Sequence, residues 1–313
     1  MTIDEFREIW ESEAPLLSVQ TSGSTGIPKT IWVEKARMRA SARMTCDFLN
    51  LKQGNTALLC LPVDYIAGKM MLVRAWTCGL QLLSVPPSST PLVSLQTAPD
   101  FAAMVPAQVY QSLTHPLLAQ IRHLIIGGGF IHPALEERLR TFPNNIWSTY
   151  GMTETLSHIA LRRVSGQGAS AWYTPLPHVR VWLDERNCLC IEAPQVCAST
   201  LATNDVAEIN TAGQFKILGR LDNVVCSGGI KLHIEQIEKK MSVFLNSPFA
   251  LWKTPDVRWG EKLVLFTEDE DLQTVEQMCK THLDSFEIPK EYRHITKLPL
   301  TPTGKIARKQ LPL

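Results

Sequence analysis

Along the first 150 residues, short apolar runs alternate with stretches in which apolar positions recur at helical spacing. Strands are predicted at 30–33, 57–61, 81–85, 101–105, 123–126 and 146–150. Between them the pattern predicts helices at 35–49, at 67–77, from 107 and at 133–141, the last with Pro133 in its first turn. Strand and helix in alternation imply a mostly parallel sheet with helices on both faces. Ligands of such sheets bind beyond the carboxyl ends of the strands. Three glycine-rich or polar segments, 21–29, 127–129 and 150–155, each come directly after an apolar strand-like run.

From about Ser157 the period shortens. The runs 179–183, 188–193 and 214–218 read as short strands separated by turns, an antiparallel β region. A polar joint at 219–223 is followed by a predicted helix at 235–245, strands near Ala250 and Leu263, a helix at 272–283 and a basic tail. The expected class is therefore α/β: a large N-terminal domain, 1–220, with a mixed, mostly parallel sheet plus an antiparallel β region. A small, mobile α+β C-terminal domain, 221–313, is expected to follow it.

Composition narrows the function by exclusion. Across 313 residues the net charge is +1 and 19% of residues are charged, which gives no electrostatic case for nucleic acid or an anionic membrane surface. No apolar run approaches the roughly 20 residues of a membrane span. The N-terminus is acidic and amphipathic (Ile3, Phe6, Ile9, Trp10), unlike a basic-then-apolar leader. Eight cysteines are scattered without metal-ligand pairing and read as buried free thiols of a reducing, cytoplasmic compartment.

The densest chemistry lies in Thr21-Ser22-Gly23-Ser24-Thr25-Gly26-Ile27-Pro28-Lys29. Glycines let backbone N–H groups converge, hydroxyls add donors and a lysine adds positive charge, a combination suited to a polyphosphate. The spacing fits neither a Walker loop nor a dinucleotide fingerprint.

Together with Gly127–Gly129, Tyr150-Gly151-Met152-Thr153-Glu154-Thr155, Gly219-Arg220-Leu221-Asp222-Asn223 and Pro302-Thr303-Gly304-Lys305-Ile306-Ala307-Arg308-Lys309, this run resembles the acyl-adenylate-forming superfamily. The five segments appear in that family's order and span nearly the whole chain. The resemblance implies an ATP- and Mg²⁺-dependent ligase that first joins a carboxylate to AMP and then passes the acyl group to coenzyme A. Joining a carboxylate to ATP brings two anions together, so charge and donors must gather where the transition state forms. By resemblance, Thr21, Ser22, Ser24, Thr25 and Lys29 surround the leaving pyrophosphate, Thr153 touches the α-phosphate and Glu154 holds Mg²⁺. Gly127 and Gly128 lie against adenine, with Tyr150 and Gly151 beside the nucleotide. Asp205 accepts the ribose hydroxyls with help from Arg220, and Lys305 bridges the attacking carboxylate and the phosphate. Asp222 matches the hinge about which the C-terminal domain turns between half-reactions.

The segment Leu61-Pro62-Val63-Asp64-Tyr65-Ile66-Ala67-Gly68-Lys69-Met70-Met71-Leu72-Val73-Arg74 resembles the corresponding helix of o-succinylbenzoate–CoA ligases of menaquinone biosynthesis. That likeness implies a carboxylate substrate with a second, ionised carboxylate held by Arg74, and places Tyr65 and Lys69 nearby. Tyr65 stands where many relatives carry histidine. A ligase for another aryl or acyl carboxylate, or an adenylation module loading a carrier protein, is also compatible with the five segments.

Overall fold

The computed structural model describes residues 1–20, 30–301 and 306–312. In chain order its elements begin α1 (Ile3–Glu11), β1 (Leu16–Gln20), β2 (Thr30–Glu34), α2 (Lys35–Phe48), β3 (Thr56–Leu59), α3 (Ile66–Cys78) and β4 (Gln81–Ser84). Next come β5 (Phe101–Met104), α4 (Pro106–Gln111), β6 (His123–Ile126), α5 (Pro133–Arg140), β7 (Asn145–Gly151), β8 (His158–Arg163) and β9 (Thr174–Pro175). The strands β10 (Arg180–Leu183), β11 (Cys188–Glu192), β12 (Leu201–Ile209) and β13 (Phe215–Arg220) come after these. The remainder is β14 (Val224–Ser227), β15 (Ile230–His233), α6 (Ile234–Met241), β16 (Phe249–Asp256), β17 (Gly260–Thr267), α7 (Leu272–His282) and β18 (Glu291–His294).

The large sheet runs β4-β3-β5-β6-β7-β8-β9. Its pairs are parallel from β4 to β7 and antiparallel at β7–β8 and β8–β9. All four residues of β5 are buried, the signature of a strand covered on both faces. Successive residues from β3 to Cys60, just past its end, feed two different cores. Ala57 and Leu59 join the larger one with Met38 and Ala42 of α2 and Met70 and Val73 of α3. Leu58 and Cys60 join the other with Val109 of α4 and Leu135 and Leu139 of α5. The expected sheet with helices on both faces is what forms.

β10–β13 make a separate antiparallel sheet, and β1–β2 a two-stranded ribbon. The last sheet, β15-β14-β17-β16 with β18 parallel to β17, packs with α6 and α7 around a core that begins at Val225. The amphipathic N-terminus is α1. Its Phe6 stacks on Trp76 of α3 at 5.8 Å, and Trp10 lies 6.3 Å from the same ring. The Lys35 ammonium ties the end of α1 down by donating to Ser12 O at 2.8 Å.

Strands β8, β9, β12, β14, β15 and β18 escape the sequence pattern. β8 directly follows a polar turn, and β12 is interrupted by Thr203, Asn204 and Asp205, which read as a turn. All eight cysteines are free, yet Cys226 is exposed and Cys78 and Cys197 are partly so, which corrects the expectation of uniform burial.

Candidate active site

Strands β6 and β7 end side by side, so the turns leaving their carboxyl ends are brought to one rim of the sheet. After β6, Gly127 sits so close to β7 that a Cβ there would lie 2.6 Å from Thr149 Oγ1. Gly128 takes a left-handed conformation, φ 78°. The pair forms a backbone shelf without side chains, the requirement for close approach by a flat ring.

β7 runs into a turn that doubles back as β8. Gly151 permits the reversal, because a Cβ would fall 2.2 Å from Ser157 O and 2.5 Å from His158 Cα. Thr155 Oγ1 knots the turn, accepting from Met152 N at 3.0 Å and lying 2.8 Å from Ser157 O. Leu156 is forced to φ 66° while buried, a conformation costing a residue of its kind of order 1–3 kcal/mol. The strained turn leaves Thr153 buried and Glu154 on the surface.

Tyr150 leaves the large sheet and reaches the antiparallel one. Its Oη donates to Asp205 Oδ2 at 2.6 Å. Burial, and then the Asp205 charge, push the phenol well above its ordinary pKa, so it stays a donor. The register of β12 and β13 places Asp205 directly opposite Arg220. Arg220 Nη1 lies 3.3 Å from Asp205 Oδ1, and Nη2 lies 3.1 Å from Asp222 Oδ2. Thr203 Oγ1 accepts from Asp205 N at 3.0 Å and donates to Leu189 O at 2.7 Å, fixing the backbone that carries the carboxylate. Phe215 and Tyr173 back the Tyr150 ring, with centroids 5.1 and 5.9 Å away. Tyr150 of β7, Asp205 of β12, Arg220 at the end of β13 and Asp222 just beyond it thus form one polar chain.

Arg74 lies on the buried face of α3 and is 2% exposed. Its Nη2 donates to Ser157 Oγ at 2.6 Å, its Nη1 contacts Met71 Sδ at 3.7 Å, and its Nε has no hydrogen-bond partner. Among the described residues no Asp or Glu lies within ion-pair distance of it, whereas most other arginines here have one. Burial lowers its pKa to about 10, still high enough to hold the charge at neutral pH. His158 continues the chain, with Nδ1 at 3.3 Å from Ser157 Oγ and Nε2 at 3.1 Å from Thr45 Oγ1. Thr45 donates to Ser41 O, so it accepts from His158 Nε2–H and leaves Nδ1 to accept from Ser157. Burial, helped by the Arg74 charge, drives the imidazole pKa well below its usual value and keeps the ring neutral.

Thr45, Ser157 and His158 were not singled out in the sequence. Ser157 and His158 border the Thr153–Thr155 segment, which is a signal of position only, and Thr45 carries none. Tyr65 is half-exposed at the start of α3 and bridges to Gln20, the last described residue before the glycine-rich run. Lys69 is buried, with its ammonium donating to Val63 O and Asp64 O at 2.8 Å each; it braces the turn that presents Tyr65. Thr21, Ser22, Ser24, Thr25, Lys29 and Lys305 lie outside the described residues. Among the described residues no group of three or more His, Cys, Asp or Glu is gathered as a metal site. No helix there is long and apolar enough to cross a membrane.

Comparison with known proteins bears on this geometry. Residues 5–190 match the family model described as AMP-binding enzyme. The 2-succinylbenzoate–CoA ligase of Staphylococcus epidermidis is 26% identical, over 93% of this chain and 68% of its own length. An acyl-CoA synthetase (AMP-forming)/AMP-acid ligase II-like protein from Dyadobacter fermentans, solved by crystallography, is 35% identical with TM-score 0.67, covering 97% of this chain and 91% of that one. The o-succinylbenzoate coenzyme A synthetase of Bacillus subtilis, solved with ATP and magnesium ion, shares the fold: TM-score 0.78, 21% identity, 94% of this chain and 69% of that one.

Proposed function

The chain belongs to the AMP-binding enzyme family of AMP-forming acid–CoA ligases, and within it we propose a ligase for a dicarboxylic aryl acid of the 2-succinylbenzoate type. The observation that carries the choice of acid is Arg74: a buried guanidinium with an unpartnered Nε and no carboxylate beside it. A charge so placed is costly unless paired, and a planar carboxylate is the partner its fork suits best. The second carboxylate of the substrate would supply that partner, and the methionines of α3 would meet the ring.

The other residues take roles set by their surroundings. Asp205 offers about four acceptor positions, and Tyr150 and Arg220 use two, which leaves two for a ribose diol. The Gly127–Gly128 shelf leaves room for adenine. Mg²⁺ suits the site as an ion entering with the triphosphate, because it ordinarily keeps phosphates and waters and needs only one or two carboxylates. Glu154, exposed beside buried Thr153, is the carboxylate for that task, and the bound ion would neutralise phosphate charge during attack. Lys29 and Lys305 are assigned to the pyrophosphate and to the reacting carboxylate by resemblance. Asp222, held by Arg220, is read as the hinge between residues 1–220 and 221–313, and coenzyme A as the acceptor in the second half-reaction.

The test is pyrophosphate release from ATP across a panel of acids, followed by product mass determination with coenzyme A. The expected outcome is turnover fastest with 2-succinylbenzoate and weak with its analogue lacking the ring carboxylate. Equal rates with the two acids would refute the substrate assignment.

A further inference from the structure

The Arg74 guanidinium is held by residues that come from outside its own helix. Helices α2 and α3 pack along one another, and the start of β8 reaches both, so Thr45, Arg74 and His158 are buried together. Ser157, just before β8, stands between the guanidinium and the imidazole. Arg74 Nη2 donates to Ser157 Oγ at 2.6 Å, and the same oxygen lies 3.3 Å from His158 Nδ1.

A hydroxyl has one proton and two lone pairs, and its neighbours decide how they are used. Thr45 Oγ1 gives its proton to Ser41 O, so it accepts from His158 Nε2–H and leaves Nδ1 without a proton. The Ser157 proton therefore goes to Nδ1, and an oxygen lone pair is left for Arg74. Donation runs one way through the whole chain, from Arg74 to Ser157, His158, Thr45 and the Ser41 carbonyl. Of the five guanidinium N–H groups, Ser157 takes one and Met71 Sδ faces another, while Nε–H keeps no protein partner.

We propose that His158 is a positioning residue for the acid: by holding the Ser157 proton it makes Ser157 an acceptor for Arg74, which fixes the guanidinium with its Nε edge free for the second carboxylate of the substrate. This role rests on the reading of Arg74 given above. The neutrality of the ring agrees with it. Burial and the Arg74 charge lower the His158 pKa, and a charged ring would turn Nδ1 into a second donor aimed at Ser157. The backbone beneath is also held in place, because Gly151 lets β7 come so close that a Cβ there would lie 2.5 Å from His158 Cα.

The experiment compares kcat/KM for 2-succinylbenzoate and for its analogue lacking the ring carboxylate, in the parent enzyme and in variants. His158→Leu fills the space but offers no acceptor. The ratio between the two acids should fall roughly tenfold, through the KM for the diacid rather than kcat. His158→Asn, whose amide oxygen can take the Ser157 proton, should recover most of the ratio. Thr45→Val keeps the shape and frees Nε2, so it should lose a smaller part. In protein carrying ¹⁵N-labelled histidine, the His158 signal, identified by its loss in His158→Asn, should be that of a neutral ring protonated at Nε2. An unchanged ratio in His158→Leu would overturn the proposal, or in Thr45→Val should the leucine variant not fold. A ring protonated at Nδ1, an asparagine variant as poor as the leucine one, or an ATP KM that rises in step would also overturn it. Arg74→Ala separates the two readings. If it keeps the parent ratio, the reading of Arg74 itself fails; if it loses the ratio while His158→Leu keeps it, only the positioning role fails.

Discussion

Tyr150 Oη and Asp205 Oδ2, 55 positions apart in the chain, are 2.6 Å apart in space and join the seven-stranded sheet to the antiparallel one. A neutral donor here holds one carboxylate oxygen still while the opposite one faces Arg220. The bond orients the acceptor without neutralising it.

Removing that donor should therefore weaken nucleotide binding without abolishing it. A Tyr150→Phe variant is expected to raise the KM for ATP by roughly three- to tenfold, the cost of about 1 kcal/mol for one hydrogen bond. Asp205→Asn, which removes the charge as well, should raise it by about 10- to 100-fold. Steady-state kinetics at saturating acid would measure both, and identical effects of the two substitutions would count against the division of labour.

Arg74→Lys keeps a positive charge but loses the planar fork. The acid KM should rise about 10- to 100-fold while the ATP KM holds, because a point charge cannot replace a bidentate partner. An ATP KM that rose in step would show that the change acts through general disorder.

Two glycines are fixed by close backbone approach. A Cβ on Gly68 would lie 2.2 Å from Pro62 O, and one on Gly151 equally close to Ser157 O. Either Gly68→Ala or Gly151→Ala should destabilise by about 1–3 kcal/mol through forced backbone shifts. Gly54→Ala, which meets nothing within 4 Å, isolates the cost of a left-handed backbone and should lose less. Denaturant unfolding of the three would rank them.

In the C-terminal part, Arg308 Nη1 and Nη2 each lie 2.7 Å from a different oxygen of Glu238, and Arg308 also donates to Leu251 O at 2.9 Å. Arg308 stands close to Lys305 in sequence, so the pair anchors the tail. The pair is part-buried, and removing one partner leaves the other charge uncompensated, so Arg308→Leu is expected to cost about 1–3 kcal/mol, read from the denaturation midpoint. The double variant Glu238→Leu with Arg308→Leu should recover much of that loss.

Acid sensitivity arises from two histidines held neutral. Burial, then the charges of Arg122 and Arg163, lower the His123 pKa to about 4, and burial pushes that of His158 well below its ordinary value. The unfolded chain binds protons at both near pH 6.5, so their contribution is present above that pH and is lost as pH falls from about 6.5 toward 4. Melting temperature should drop across this window, and His123→Gln should flatten the drop. A variant as pH-sensitive as the parent would contradict the assignment.

The sequence by itself determined the parallel sheet, because strands buried on both faces must be apolar throughout and the helices between them must carry a 3.6-residue stripe. Both are local patterns. It also marked the segments ending at Gly127, Tyr150 and Asp222, since turn chemistry is written in a few adjacent residues. Strand β12 was not legible: Thr203, Asn204 and Asp205 are polar because they face a site, and a site breaks the pattern that announces a strand. Only the tertiary structure decided that Arg74 meets Ser157 and that His158 meets Thr45. These pairs come from separate elements laid together by the packing of α2, α3 and the turn before β8. Packing depends on shape across the whole core, which no local period encodes.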